Sequence, residues 1–296
     1  MDPVMELSQR EQWFNPAEYP FQSKFLDLPA GRMHYVDEGE GRPLVLVHGT
    51  PSWSFEYREL IRGLRGERRT IAADHLGFGL SDRPAEFSYT LADHTENLRR
   101  LVADRGLEKY DLLVHDFGGP LALPLALEAP ERIGRLVIMN SWLWPMGVDP
   151  SFEKSKALLD TWLMKFLYLR ANFSASTMVK ASWGTRRPLT REVHHRFKSM
   201  FPNKSSRVGT WGFARALVRE EDRLAELYAQ IDKLRRIPTL VIWGMADKMV
   251  GAPHLERWRA ELPDARFVEL TDVGHFPQEE AGQEVAELVR RFLSAS

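Results

Sequence analysis

The chain has 296 residues, of which 44% are hydrophobic, and this fits one large α/β domain or a domain that carries an insertion. Its 40 basic and 41 acidic side chains nearly cancel, which excludes an overall field that would recruit nucleic acid or an anionic membrane. The expected partners are therefore a small neutral substrate and water. Cysteine is absent, so disulfides, thiolate metal sites and a cysteine nucleophile are all excluded.

The amino-terminal stretch 1–21 is polar and lacks the apolar core of a signal peptide. Elsewhere no uninterrupted apolar stretch reaches the length of a membrane span. We therefore expect no targeting or anchoring segment and a cytoplasmic location. The sequence leaves the oligomeric state open.

Short apolar runs rich in valine, isoleucine and leucine alternate with helical patterns, as is typical of a parallel sheet covered on both faces. The predicted strands are 24–28, 32–37, 44–47, 70–73, 112–115, 136–139, 239–243 and 266–270. The first two should form an antiparallel hairpin that turns at residues 30–31. The predicted helices of the same unit are 55–64, 91–104, 118–128, 253–261 and 283–293. The fold class is α/β, with a mostly parallel sheet.

Roughly a hundred residues separate the strands 136–139 and 239–243, far more than a usual connection in such a sheet. We interpret residues 144–236 as an inserted helical cap and residues 1–143 with 237–296 as the core domain. Helical patterning within the insertion covers 152–169 and 215–234. Its many aromatic residues favour a lid over the carboxyl edge of the sheet, where open α/β sheets bind ligands. The alternative is a surface appendage unrelated to function.

Asp116 lies where an apolar strand runs directly into a helix that begins with two glycines. Such a sharp turn is a nucleophile elbow, which lifts its central side chain above the sheet and places the next amide at a helix amino terminus. The familiar version carries serine at this position, and here a carboxylate replaces it. The alternative is that Asp116 only caps the helix, a role that aspartate favours.

Asp247 and His275 each follow a later predicted strand. A carboxylate at 247 could orient the imidazole of His275, which would act as a base over the sheet edge. Either residue alone would usually be structural. Together with Asp116, however, they give the order nucleophile, acid, histidine, which is the chain order of the α/β-hydrolase triad.

The segment His48–Gly49–Thr50–Pro51 also follows a strand. We expect the backbone amides of Thr50 and Phe117 to form an oxyanion hole, with a simple turn as the alternative for the first. The glycine-rich stretch 74–82 lacks the spacing of a dinucleotide loop and is interpreted as a structural turn. No histidine has carboxylate or thiolate companions at ligand spacing, so neither a metal nor another cofactor is expected.

These segments resemble the haloalkane dehalogenase group of α/β-hydrolases, which has epoxide hydrolases as relatives. The resemblance covers nearly the whole chain, and its matching segments are 48–54, 74–84, 114–119, 139–142, 243–247 and 274–276. It implies an eight-stranded sheet with a helical cap and hydrolysis of a small haloalkane. Some relatives place a glutamate after the sixth strand, whereas this chain has Asn140, which agrees with Asp247 as the acid.

The resemblance further implies that Asp116 forms an alkyl ester, which water activated by His275 then hydrolyses. One departure concerns the leaving group, because dehalogenases hold the halide with a tryptophan beside the nucleophile and a second donor. Here the two positions are Phe117 and Thr50, and phenylalanine has no N–H to donate. The candidate pocket residues are Trp53, Trp142, Trp144, Trp162 and Trp183, and the last four are candidate donors, with core packing as the alternative.

Two rival functions remain open. An epoxide hydrolase would use the same three residues but needs paired cap tyrosines as acids, and only Tyr168 lies well inside the insertion, with Tyr228 near its end. A ligand-binding relative without turnover is the other alternative, in which Phe117 and Thr50 mark lost chemistry.

Overall fold

The computed structural model describes residues 17–295, apart from the side chains of residues 151, 154 and 155. Residues 1–16, which include most of the stretch predicted to lack a targeting function, lie outside the described part. Eight strands form one sheet in the order β1-β2-β4-β3-β5-β6-β7-β8. They are β1 Lys24–Leu28, β2 Gly31–Glu38, β3 Pro43–Val47, β4 Arg69–Ala73, β5 Tyr110–Asp116, β6 Ile133–Ser141, β7 Thr239–Gly244 and β8 Arg266–Leu270.

The sheet is mostly parallel, as predicted. Strand β2 pairs antiparallel with β1 and β4, and every other pairing is parallel. Every residue of the central strand β5 is buried, because helices cover both of its faces. The first hairpin turns one residue earlier than predicted, since Leu28 pairs with Gly31 and the turn is made by Pro29 and Ala30.

The α-helices fall into two groups. Those that belong to the sheet unit are α1 Arg58–Leu64, α2 Leu91–Asp104, α3 Gly118–Glu128, α10 Ala252–Glu261, α11 Pro277–Glu280 and α12 Gly282–Ser294. Those between β6 and β7 are α4 Pro150–Leu159, α5 Trp162–Ala171, α6 Val179–Ser182, α7 Arg191–Ser199, α8 Val208–Arg219 and α9 Glu221–Tyr228. Across residues 17–295, no helix is both long and apolar enough to cross a membrane.

The two long helices predicted within the insertion are each broken. The first is interrupted between α4 and α5, where the Thr161 side chain accepts a hydrogen bond from the amide of Met164 and so starts a new helix. The second begins earlier than predicted, at Val208, breaks at Glu220, and ends in a 3-10 helix, Ile231–Arg236. Apolar periodicity continues across both breaks, which is why the sequence pattern did not reveal them.

The insertion has a small apolar cluster of its own, formed by Tyr168, Leu169, Trp211 and Ala214. It also contributes Phe213 to the main core, where that ring stacks on Phe117 at 4.7 Å between centroids. Since Phe117 directly follows β5, the inserted helices pass over the carboxyl end of the central strand. The boundaries 144–236 remain a prediction.

Close packing between β3 and α3 leads to a stability prediction. A Cβ atom on Gly118 would lie 2.1 Å from the carbonyl oxygen of Val47, whereas one on Gly66 would meet nothing within 4 Å. Gly118→Ala should therefore lower the free energy of unfolding by about 1–3 kcal/mol through overpacking. Gly66→Ala should change it by less than about 0.5 kcal/mol. Denaturant unfolding of both variants tests this, and equal stabilities would contradict the described packing.

Candidate functional site

Asp116 ends β5 in a left-handed conformation, with φ of +52°. Only a few per cent of residues other than glycine adopt such angles, so the turn is a strained feature. Phe117 returns to helical angles and precedes α3. The neighbouring backbone comes very close, because a Cβ on Gly49 would lie 2.0 Å from Asp116 Oδ1. The sharp turn predicted from the sequence is therefore present, and it points the carboxylate at the loop after β3.

The Asp116 carboxylate is buried, with 2% of the residue exposed. Its Oδ1 accepts a hydrogen bond from the Thr50 amide at 2.7 Å, and its Oδ2 lies 3.2 Å from His275 Nε2. The described residues show no hydrogen bond from the Phe117 amide to this carboxylate. Of the two amides of the predicted oxyanion hole, that of Thr50 thus contacts Asp116 directly, and that of Phe117 belongs to the next residue in the chain.

His275 is fully buried and fixed from two sides. Its Nδ1 lies 2.7 Å from Asp247 Oδ2, and its backbone amide donates to the carbonyl of Ser182 in the insertion at 2.8 Å. A proton on Nδ1 that bonds the carboxylate directs Nε2 towards Asp116. The structure therefore brings together the three residues that the sequence singled out, although they are up to 159 positions apart in the chain.

Asp247 is held by more than the imidazole. Its Oδ2 also accepts from Asn140 Nδ2 at 2.9 Å, and its Oδ1 accepts from the Met249 amide at 2.7 Å. Asn140 in turn accepts from the Gly244 amide at 2.8 Å. Asn140, near the end of β6, therefore supports the acid through a hydrogen bond and adds no further negative charge.

The pKa of His275 reflects a competition between burial and charge. Burial by itself lowers it, because the imidazolium loses its hydration. The negative charges and hydrogen bonds of Asp247 and Asp116 outweigh this, so the pKa is raised well above the usual value. The two neighbouring carboxylates thus favour the protonated form of the buried imidazole.

Aromatic side chains pack around Phe117, the residue that follows the carboxylate. Phe117 packs edge-to-face against Trp142 at 5.0 Å and stacks on Phe213. Tyr168 also lies near the site: burial raises its pKa, and the negative charge of Asp116 adds to that effect. Its hydroxyl contacts the Met178 sulfur at 3.2 Å.

The predicted pocket tryptophans differ in exposure and in hydrogen-bond partners. Trp162 is 78% exposed, so its predicted place in the pocket is wrong: the break before α5 turns its side chain to solvent. Trp144 and Trp183 donate their N–H to His254 Nδ1 and to the Arg187 carbonyl, so neither indole is a free donor. Trp53 is buried and stacks on Phe55.

Trp142 is the exception among these indoles. It is 1% exposed, and its Nε1 has no hydrogen-bond partner among the described residues. A buried N–H without a partner is costly, so it marks a place where a ligand could accept a hydrogen bond.

Sequence reasoning missed a second buried polar group, formed by Glu56, His115 and Gln278. The available signal was the presence of charged residues at positions that the apolar pattern assigns to the core. Glu56 lies in a predicted helix between two aromatic residues, and His115 lies in a buried strand.

The charge arrangement predicts the titration of His275. Asp247→Asn removes one of the two negative charges that raise its pKa, so the imidazole should titrate at a lower pH than in the unchanged protein. A folded-state pKa above the unfolded value of about 6.5 contributes stability below that pH, which is lost as the pH rises through the folded pKa. This loss should be smaller in the variant. NMR titration of the His275 ring measures the shift, and an unchanged pKa would contradict the described contact.

Comparison with known proteins identifies the family of the chain. The family model described as alpha/beta hydrolase fold matches residues 42–282. Haloalkane dehalogenase 2 of Mycobacterium tuberculosis is 34% identical over 94% of this chain and 97% of its own length. The cis-3-alkyl-4-alkyloxetan-2-one decarboxylase of Shewanella oneidensis is 31% identical over 93% of this chain and 89% of its own length.

Solved structures show the same fold. Haloalkane dehalogenase DbeA from Bradyrhizobium elkani matches with a TM-score of 0.80 at 23% identity, covering 93% of this chain and 100% of that one. Haloalkane dehalogenase DatA from Agrobacterium tumefaciens matches with a TM-score of 0.82 at 21% identity, covering 92% and 96%. The matched family model and the relatives above 30% identity show that the chain is an enzyme that belongs to the α/β-hydrolase family, as a haloalkane dehalogenase-like member.

Proposed function

We propose that the protein hydrolyses a small haloalkane through a covalent ester on Asp116. The observation that carries this proposal is the buried Asp116 carboxylate at a strained turn, with Thr50 N–H on one oxygen and His275 beside the other. In the first step a carboxylate oxygen attacks the carbon that bears the halogen, and the halide leaves with the bonding electrons. In the second step water attacks the ester carbonyl, which releases the alcohol and restores Asp116.

The charges around His275 suit this order of events. While Asp116 is ionised, two carboxylates favour the imidazolium. Ester formation removes one of these charges, so the pKa of His275 falls and the imidazolium releases its proton to solvent along with the halide. The neutral ring can then accept a proton from the attacking water. Asp247 keeps its charge and stabilises the imidazolium that forms. The Thr50 amide supports the oxyanion that develops on the ester carbonyl.

The leaving group needs a donor that Phe117 does not provide. Trp142 packs against Phe117, and its buried Nε1 has no partner in the described part of the chain. We propose that this N–H donates a hydrogen bond to the departing halide. A hydrogen bond to an ion is worth about 1.5–3 kcal/mol. The apolar rings around it keep water away from the reacting carbon.

A second candidate function is opening and decarboxylation of a four-membered lactone, the activity named for the Shewanella relative. Here Asp116 would attack the ring carbon and break its bond to oxygen. The freed carboxylate would then leave as carbon dioxide while Asp116 is expelled, giving an alkene without consuming water. Ring strain drives the first step, so the missing donor at Phe117 favours this candidate. The epoxide alternative has less support, because the Tyr228 hydroxyl bonds Glu261 at 2.5 Å and leaves Tyr168 without a paired acid.

The decisive variant is His275→Phe, which removes the base but leaves the displacement step intact. With an alkyl bromide that the unchanged enzyme hydrolyses, the variant should release about one equivalent of bromide and then stop as the ester accumulates. Peptide mass spectrometry should find the alkyl group on the peptide that contains Asp116. An adduct on another residue, or none, would refute the mechanism. With an oxetanone, continued alkene release by the variant would support the second candidate.

The leaving-group donor is tested separately. Trp142→Phe should slow bromide release about 10- to 100-fold, because it removes one charge-assisted hydrogen bond. Trp144→Phe is the matched control, since that indole already has a partner and should have little effect on this step. Phe117→Trp should speed bromide release by adding a donor. If Trp142→Phe and Trp144→Phe behave alike, the proposed donor is wrong.

A further inference from the structure

A buried polar cluster lies directly beneath the site, formed by Glu56, His115 and Gln278. His115 Nδ1 lies 3.1 Å from Glu56 Oε1 and 3.0 Å from Gln278 Nε2, and all three residues are at most 1% exposed. Burial by itself raises the pKa of Glu56, but its interactions with His115, and to a smaller extent with His48 and Ser52, outweigh it and hold that pKa below the usual value. The cluster therefore places a buried carboxylate against an imidazole, and a buried charge without such a partner would be costly.

The proton positions on His115 follow from its partners. Its Nε2 lies 2.7 Å from the backbone carbonyl oxygen of His275, which can only accept, so Nε2 carries a proton. A carboxylate at Nδ1 requires a second proton there. The two ends of the Gln278 amide are alike in shape, and exchanging them gives Nδ1 and the otherwise unpartnered Gln278 Oε1 a bond to each other. With the amide in that orientation, Nδ1 faces only acceptors, Glu56 Oε1 and Gln278 Oε1, while Nε2 faces the His275 carbonyl.

His115 links this cluster to the residue proposed as the base. His115 donates to the His275 carbonyl, and the centroids of the His115 and His275 rings are 5.0 Å apart. The His275 backbone is held on its other side by Ser182 of the insertion. We infer that Glu56 is a positioning residue, which acts through His115 to hold the backbone of His275 where its ring can activate water. This inference rests on the proposed function.

Only hydrolysis of the ester requires His275, so loss of positioning should affect that step alone. In single-turnover reactions with an alkyl bromide, bromide reports ester formation and alcohol reports ester hydrolysis. Glu56→Leu and His115→Asn should slow alcohol formation about tenfold or more, a loss typical of a misplaced catalytic group, while bromide release changes less than about twofold. The alkyl-enzyme should accumulate in both variants. A purely structural role would not change the balance between the two steps.

Matched variants isolate the contact. Gln at position 115 keeps a donor near the Nε2 position, so His115→Gln should retain faster alcohol formation than His115→Asn. In that background Glu56→Leu should have less than about a twofold further effect, because the carboxylate no longer has an imidazole to hold. Glu279→Gln is a control in the same small cavity, since Glu279 pairs with Arg58 and does not touch His115. It should leave the balance between the steps unchanged.

Either of two results would contradict the positioning role of Glu56. Folded Glu56→Leu and His115→Asn enzymes that hydrolyse the ester at the unchanged rate, or that slow both steps equally, would overturn the inference. If Glu56→Leu does not fold, Glu56→Gln has the same shape and must show a smaller slowing of the same step. Parallel measurement of His275→Phe separates the two claims: no ester there refutes the proposed function, whereas an ester there with normal Glu56 variants refutes only the positioning role.

Discussion

The carboxylate of Asp116 is almost completely buried, and the cost of removing that charge from water governs how its surroundings are arranged. An unpaired buried charge would cost several kcal/mol, which the Thr50 amide and His275 offset. The left-handed turn at Asp116 makes this contact geometrically feasible, and the surrounding strands hold the strained residue in place. Glycine at position 49 leaves room for the carboxylate beside the loop after β3.

Charge balance then connects the rest of the site. Asp247 has a partner at each oxygen, so it provides a fixed negative charge beside His275. Asn140 supports that carboxylate without adding a third anion. In the proposed chemistry, ester formation neutralises the charge on Asp116. The pKa of His275 would then fall, and the ring would release its proton to solvent. Around these polar groups the insertion and the core contribute apolar rings, such as Phe213 and Phe117, which preserve the low dielectric that makes such coupling strong.

Much of this arrangement could be predicted from local sequence. An apolar run, Leu112–Val114, comes shortly before Asp116, and the two glycines after it mark a tight strand-to-helix turn, so the position of the residue followed from its neighbours. The helix break before Trp162 was missed, because the apolar pattern continues through it and outweighed the local signal of Thr161, a residue type that favours the start of a helix. Glu56 was also missed. Its place between two aromatic residues was a local signal of burial, but its partner His115 is 59 positions away in the chain, and that contact cannot be read from either segment alone.

The central claim is that the oxygen delivered to the product comes from Asp116 and that water replaces it afterwards. A single turnover in water labelled with oxygen-18, with the enzyme in excess over an alkyl bromide, tests this most directly. The account predicts that the product alcohol carries ordinary oxygen and that the label appears in the Asp116 carboxylate, located by peptide mass spectrometry. Label in the alcohol of that first turnover, with none in Asp116, would mean that water attacks the substrate directly and would contradict the account.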